Sequence, residues 1–276
     1  QRQMCIRDRL HSLAFKPFLL TSFQSENIMK KHIPNILTCC NLTSGCLAAY
    51  FAFQNDFLMA LVFIITGATF DFFDGFAARL LHVSSPIGKE LDSLADDITF
   101  GFAPSVIVFS ALRMLVSPEY CAADCPLNNF LLTPYIPFLA FLIASFSALR
   151  LAKFNLDERQ TSSFIGLPTP ANALFWASLC LSLYESKWLE GEPWLIFVLI
   201  PGILLSCWLL VAEIPMFALK FKNFSVKDNA LRYGFILCSI VLLTGLGWIG
   251  FAAVIVLYVL TSLAQNIIGT KIADTE

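Results

Sequence analysis

Asp71-Phe72-Phe73-Asp74-Gly75-Phe76-Ala77-Ala78-Arg79, then eight residues, then Gly88-Lys89-Glu90-Leu91-Asp92-Ser93-Leu94-Ala95-Asp96, joins two long apolar runs. Asp71 and Asp74 end the first run, and Asp92 and Asp96 open the second. An ionised carboxylate costs roughly 2.5–3.5 kcal/mol at the centre of a membrane-inserted helix. Four of them gathered at one place therefore need a cation, water or a chemical task to offset that cost. Residues three or four apart share a helix face, so Asp71 pairs with Asp74 and Asp92 with Asp96.

The runs on either side set the fold class. Of 276 residues, 57% are hydrophobic and only 14% charged, with 27 phenylalanines, which is too apolar for a soluble domain of this length. Apolar windows of membrane-spanning length fall near residues 34–53, 57–79, 91–115, 131–151, 170–184, 194–212, 231–247 and 250–266. The expected architecture is all-α, a polytopic membrane bundle of about eight transmembrane helices. The last two windows share one apolar stretch broken at Gly245-Leu246-Gly247-Trp248-Ile249-Gly250, which reads as a tight hairpin or a kink.

Cytoplasmic loops retain Lys and Arg. With the start of the chain inside, one side collects Lys30, Lys31, Arg79, Lys89, Arg150, Lys153, Arg159, Lys220, Lys222, Lys227, Arg232 and Lys271, and the other keeps Arg113 and Lys187. An even number of spans follows, with both termini and both acidic pairs at the cytoplasmic face. Residues 1–28 read as a leader or extension outside the fold, ahead of Met29-Lys30-Lys31-His32, and residues 29–276 as one membrane domain. Cys39, Cys40, Cys46, Cys180, Cys207 and Cys238 fall in apolar spans as small packing residues. Cys121 and Cys125, in the outer loop, are placed to form a disulfide if that side is oxidising. The basic loop from Lys220 to Arg232 suits anionic lipid headgroups or plain solvent.

Hard oxygen ligands in this number suit Mg²⁺ or Mn²⁺, and the absence of His or Cys beside them disfavours zinc. Gly75 leaves bare backbone next to Asp74, Ala78 keeps the same side low one turn later, and Arg79 offers a fork for phosphate. Two other readings remain open on these residues alone: a proton or ion pathway in a cation or metabolite transporter, and structural ion pairs with Arg79 and Lys89. No nucleic-acid partner is expected.

The pattern Asp71-x-x-Asp74-Gly75-x-x-Ala78-Arg79, eight residues, Gly88-x-x-x-Asp92-x-x-x-Asp96 resembles the signature of the CDP-alcohol phosphotransferases, matching eight fixed residues over 26 positions. Further segments are similar to the phosphatidylserine synthase branch of that family: Pro34-Asn35-Ile36-Leu37-Thr38 with Asn41-Leu42 and Gly45, Phe100-Gly101-Phe102-Ala103-Pro104, Arg150-Leu151-Ala152-Lys153-Phe154-Asn155, and Phe164-Ile165-Gly166-Leu167-Pro168-Thr169-Pro170-Ala171. Asp97, following Asp96, departs from the apolar residue frequent in that branch.

The resemblance implies a multi-pass enzyme of the bacterial inner membrane that makes phosphatidylserine and CMP from CDP-diacylglycerol and L-serine. It implies two Mg²⁺ or Mn²⁺ ions, one on Asp71, Asp74 and Asp92 and one on Asp71, Asp92 and Asp96, with Asp96 as the general base. Gly75, Ala78, Arg79, Ser85, Asn35, Thr38 and Asn41 become expected nucleotide contacts, and Arg150 and Asn155 expected acceptor contacts. Membrane lipids and a homodimeric partner are the implied company. Within the family, glycerol 3-phosphate or inositol phosphate is the alternative acceptor, kept open by Arg150, Lys153 and Arg159.

Overall fold

The computed structural model describes residues 32–83, 85–117, 133–156, 165–190, 192–216 and 229–273. Residues 1–28, the Cys121/Cys125 pair, Arg159 and Lys220, Lys222 and Lys227 of the basic loop lie outside the described residues. Within them the chain forms α1 (His32–Phe53), α2 (Phe57–Leu80), α3 (Pro86–Val116), α4 (Thr133–Leu156), α5 (Thr169–Glu185), α6 (Ile196–Val211), α7 (Ala230–Leu246) and α8 (Ile249–Ala273). Among the described residues β-structure is confined to an isolated bridge between Ile165 and Pro215. Five helices, α1 to α4 and α8, are long and apolar enough to cross a membrane. The protein is a helical membrane bundle.

Local chemistry sets the boundaries. Asn55 adopts φ 60° in the turn after α1, a conformation that asparagine tolerates better than most residues. Asp56 then caps α2 by accepting the Met59 N–H at 3.0 Å. Ser85 caps α3 through the Gly88 N–H at 2.9 Å, and Pro86 occupies its first turn. α3 therefore begins five residues before the apolar window at 91, because its first turn and a half is polar and capped rather than lipid-embedded. Asp92 and Asp96 accordingly lie nearly two and nearly three turns inside the helix instead of opening it. α4 likewise runs on through Leu156, so Asn155 is helical and not in a loop. The closing pair is a hairpin rather than a kinked rod: Gly247 turns at φ 61° and α8 packs back along α7.

α3 is the axis of the bundle. Of its apolar window 78% is buried, against 17–39% for the other long helices, whose outer faces carry side chains suited to lipid. Phe57, Leu61 and Ile64 of α2, Phe100 of α3, Trp176 of α5 and Ile203 of α6 fill the core. The Trp176 indole also donates to Ser206 Oγ at 3.1 Å, tying α5 to α6. In the middle of α3 six residues, Asp97–Phe102, wind as a π-helix. Such wider turns are rare and concentrate at functional sites.

Small residues let α1 and α2 close on that turn. Thr99 donates its hydroxyl to the Asn41 carbonyl at 3.0 Å. A Cβ on Gly45 would stand 2.8 Å from Thr99 Cα and 2.9 Å from its nitrogen, both backbone atoms that have nowhere to go. Gly45→Ala should therefore destabilise the bundle by about 1–3 kcal/mol. An unchanged thermal midpoint in detergent would reject this close approach.

Candidate active site

The end of α2 and the start of α3 bring the acidic pairs together. One carboxylate oxygen from each of Asp71, Asp74 and Asp92 lies within 4.8 Å of the others. Asp96 stands one turn further along α3, its side chain within hydrogen-bond reach of Asp71. Converging carboxylates repel one another unless something positive sits among them, and this all-oxygen donor set is the kind that hard divalent cations take. The residues present fit such an ion.

α1 holds the acids in position. Thr38 Oγ1 donates to Asp74 Oδ2 at 2.6 Å, and Asp74 is only 6% exposed. One turn on, Asn41 Nδ2 donates to Asp96 Oδ1 at 3.1 Å. Fixed partners of this kind set the angle at which a carboxylate meets a cation.

Above the acids opens a cleft of about 250 Å³ lined by Pro34, Asn35, Thr38, Asp74, Gly75, Ala78, Val83, Ser85, Gly88, Lys89 and Asp92. Five of the seven expected nucleotide contacts, Asn35, Thr38, Gly75, Ala78 and Ser85, thus line one space. The other two do not line it. Asn41 is fully buried, its Nδ2 bonded to Asp96 and its Oδ1 unpaired, and Arg79 is exposed. A Cβ added at Gly75 would meet only Arg79 Nη2, at 4.0 Å, so the wall over Gly75 is open. At Gly88 a Cβ would lie 2.9 Å from Ser85 Oγ and 3.1 Å from Asn35 Oδ1, so glycine there lets the α3 cap and α1 share one edge of the cleft.

The two expected acceptor residues separate. Arg150 is buried in α4 within electrostatic range of Asp96 and Tyr258, reaches Thr169 Oγ1 at 3.5 Å and lies 5.9 Å from the Phe154 ring centre. Asn155 sits a turn and a half further out, donating to Ser93 Oγ at 2.8 Å while Lys89 Nζ reaches its carbonyl at 3.4 Å. It ties α4 to α3 at the rim. Tyr258 and the buried Asn172 went unread in the sequence. An asparagine in an apolar helix is itself a signal, since a buried amide needs partners.

A helical membrane bundle with a cleft that reaches Asp74 and Asp92 of a four-aspartate cluster on two helices defines the class: a membrane-embedded protein whose acidic site suits a divalent cation and a phosphate-bearing ligand. A profile of the CDP-alcohol phosphatidyltransferase family matches residues 31–218, and the chain belongs to that family. It is 36% identical over 151 residues to the CDP-diacylglycerol–serine O-phosphatidyltransferase of Bacillus subtilis, covering 54% of this chain and 73% of that protein. The protein of the same name from Helicobacter pylori is 32% identical over 186 residues, 62% of this chain and 68% of its own length. The archaetidylserine synthase of Methanothermobacter thermautotrophicus is 30% identical over 160 residues, 56% of this chain and 60% of its own.

Proposed function

We propose that the protein transfers the phosphatidyl group of CDP-diacylglycerol to the hydroxyl of L-serine. The observation that carries this reading is the convergence of Asp71, Asp74 and Asp92 at a cleft that Asp74 and Asp92 line, with a buried arginine, Arg150, close enough to Asp96 to feel its charge. Further support comes from the family membership and from the activity for which the relatives are named.

Asp71, Asp74 and Asp92 would hold one divalent cation, and Asp71, Asp92 and Asp96 a second, Mg²⁺ or Mn²⁺. Once bound, the ions neutralise the diphosphate and the charge that gathers on departing CMP. Thr38 and Asn41 keep Asp74 and Asp96 aimed while this happens. Gly75 and Ala78 leave room for the nucleotide, with Asn35 and Ser85 as polar edges of the same space. Asp96 takes the proton of the serine hydroxyl, whose oxygen forms a new bond to the lipid-linked phosphorus. The bond from that phosphorus to the oxygen bridging to CMP breaks, and CMP leaves with the bridging oxygen. A serine hydroxyl is a weak nucleophile at neutral pH, which is why a positioned carboxylate is needed.

We further infer that the chain crosses the membrane eight times with the cleft on the cytoplasmic side of a bacterial inner membrane. Arg79, Lys89 and Lys153 share the end that carries the acids, whereas Arg113, near Phe53 O and Asn55 Oδ1 at 3.4 Å, marks the opposite end.

The test supplies purified protein with CDP-diacylglycerol, Mg²⁺ or Mn²⁺ and a panel of alcohols while CMP is measured. Release that depends on serine supports the reading, and release with glycerol 3-phosphate instead assigns another acceptor. Arg150→Ala should raise the KM for serine at least tenfold more than the KM for the lipid donor, since a buried guanidinium paired with a carboxylate contributes on the order of 2–5 kcal/mol. An unchanged serine KM removes Arg150 from the pocket.

A further inference from the structure

Besides Asn41 Oδ1, beside Asp96 itself, five further side-chain atoms on α3, α4 and α5 are buried without a hydrogen-bond partner: Asp97 Oδ1, Ser147 Oγ, Arg150 Nε and both amide atoms of Asn172. They belong to one neighbourhood. A Cβ on Gly101 would stand 2.7 Å from Asp97 Oδ1 and 2.9 Å from Ser147 Cβ, so Asp97 and Ser147 meet across that glycine. Ser147 lies one turn before Arg150 on the same face of α4. Arg150 reaches Thr169, and Asn172 follows one turn later on the same face of α5, the helix that packs against the π-turn. Asn172 and Ser147 are fully buried and Arg150 is 7% exposed.

Each buried polar atom left unpaired costs about 1–3 kcal/mol. Native proteins hold only a few per hundred residues, scattered. A cation, an anion, an amide and a hydroxyl, each with at least one unpaired atom on three packed helices beside the proposed base, describe a receptor for a small ligand carrying both charges. The π-turn that begins at Asp97, the residue directly after Asp96, re-aims the Asp97 side chain toward α4 rather than into the metal cluster.

We propose that this nook holds the zwitterionic end of an amino-acid acceptor: Arg150 pairs with its α-carboxylate, Asp97 accepts from its α-ammonium, and Asn172 and Ser147 complete the hydrogen bonds. The acceptor hydroxyl is left toward Asp96, whose charge Arg150 lies close enough to feel. Asp97 is then the residue that selects an amino alcohol over a plain hydroxy acid. The inference rests on the amino-acid acceptor argued above, and it adds which groups read the two charges.

The experiment measures CMP release by the metal-loaded, full-length enzyme with L-serine, with 3-hydroxypropionate, which lacks the ammonium, and with ethanolamine, which lacks the carboxylate. A site built to bond a polar group rejects the analogue lacking it by up to about 10⁴-fold. Wild type should prefer serine over 3-hydroxypropionate by on the order of 10²- to 10⁴-fold in kcat/KM. Asp97→Asn should shrink that ratio to within about tenfold, through loss on serine, because the amide still fills the space but no longer carries the charge. Asn172→Ala should raise the serine KM without moving the donor KM. Full discrimination in Asp97→Asn, or equal loss with all acceptors, overturns the proposal. So does wild type that uses 3-hydroxypropionate as well as serine, a result that needs no variant to fold. Wild type that releases no CMP with serine but does so with a phosphorylated alcohol sinks the serine reading itself, and this nook's assignment with it.

Discussion

Asp96→Asn is expected to lower serine-dependent CMP release by about 10²- to 10⁴-fold, the range that a positioned general base contributes, while the enzyme still binds CDP-diacylglycerol. Asparagine keeps the size of aspartate and one of its acceptor oxygens, so the bond from Asn41 Nδ2, 3.1 Å in the native protein, can persist. What disappears is the capacity to take the serine proton. Asp96 is the least committed of the four acids to the mutual cluster, since the oxygens within 4.8 Å of one another come from Asp71, Asp74 and Asp92. The donor should therefore still be held at those three. Binding is read by titrating CDP-diacylglycerol in the presence of Mg²⁺, and turnover by CMP release. If turnover falls by less than about tenfold, Asp96 is not the base; if donor binding collapses in parallel, its contribution lies in holding the cation instead.

The part of this site that was legible in the sequence is the part whose geometry is local. Asp71 with Asp74 and Asp92 with Asp96 share faces because a helix repeats every 3.6 residues, and the helices themselves follow from apolar windows of membrane length. That logic reached eight helices among the described residues, with a start displaced by the capped polar turn at Ser85-Pro86 and an end displaced where Lys153–Leu156 stays helical. The bond from Thr38 to Asp74 joins residues 36 apart and that from Asn41 to Asp96 residues 55 apart, so neither pairing is written in any local period. Both residues belonged to the expected nucleotide wall, yet their side chains brace carboxylates. The π-turn was illegible for the same reason. Its extra residue depends on how closely Gly45, Gly67 and Gly101 let neighbouring helices approach α3. Asn172 and Ser147 are single polar residues in apolar windows, and only the packing of α3, α4 and α5 reveals that they are buried without partners.

Asp71→Asn should have the wider effect, because Asp71 touches both groups of acids. It contributes an oxygen to the cluster with Asp74 and Asp92 and lies within hydrogen-bond reach of Asp96. With one fewer charge, the donor set loses affinity for a divalent cation and also loses the group that joins Asp74 and Asp92 to Asp96. If the cation supplies several kcal/mol toward the transfer, a loss of ~4 kcal/mol corresponds to a fall in kcat/KM of about a thousandfold. Chelation of divalent cations from the wild type should abolish CMP release altogether, with recovery on adding Mg²⁺ or Mn²⁺. The discriminating measurement is the cation concentration at half-maximal rate. In Asp71→Asn it should rise steeply, whereas Asp96→Asn, which leaves the Asp71, Asp74 and Asp92 group whole, should move it far less. Asp71→Asn with an unaltered cation requirement, or wild type still turning over in excess chelator, would show that these carboxylates converge for some purpose other than binding metal. The transporter reading of the same four acids would then regain its footing.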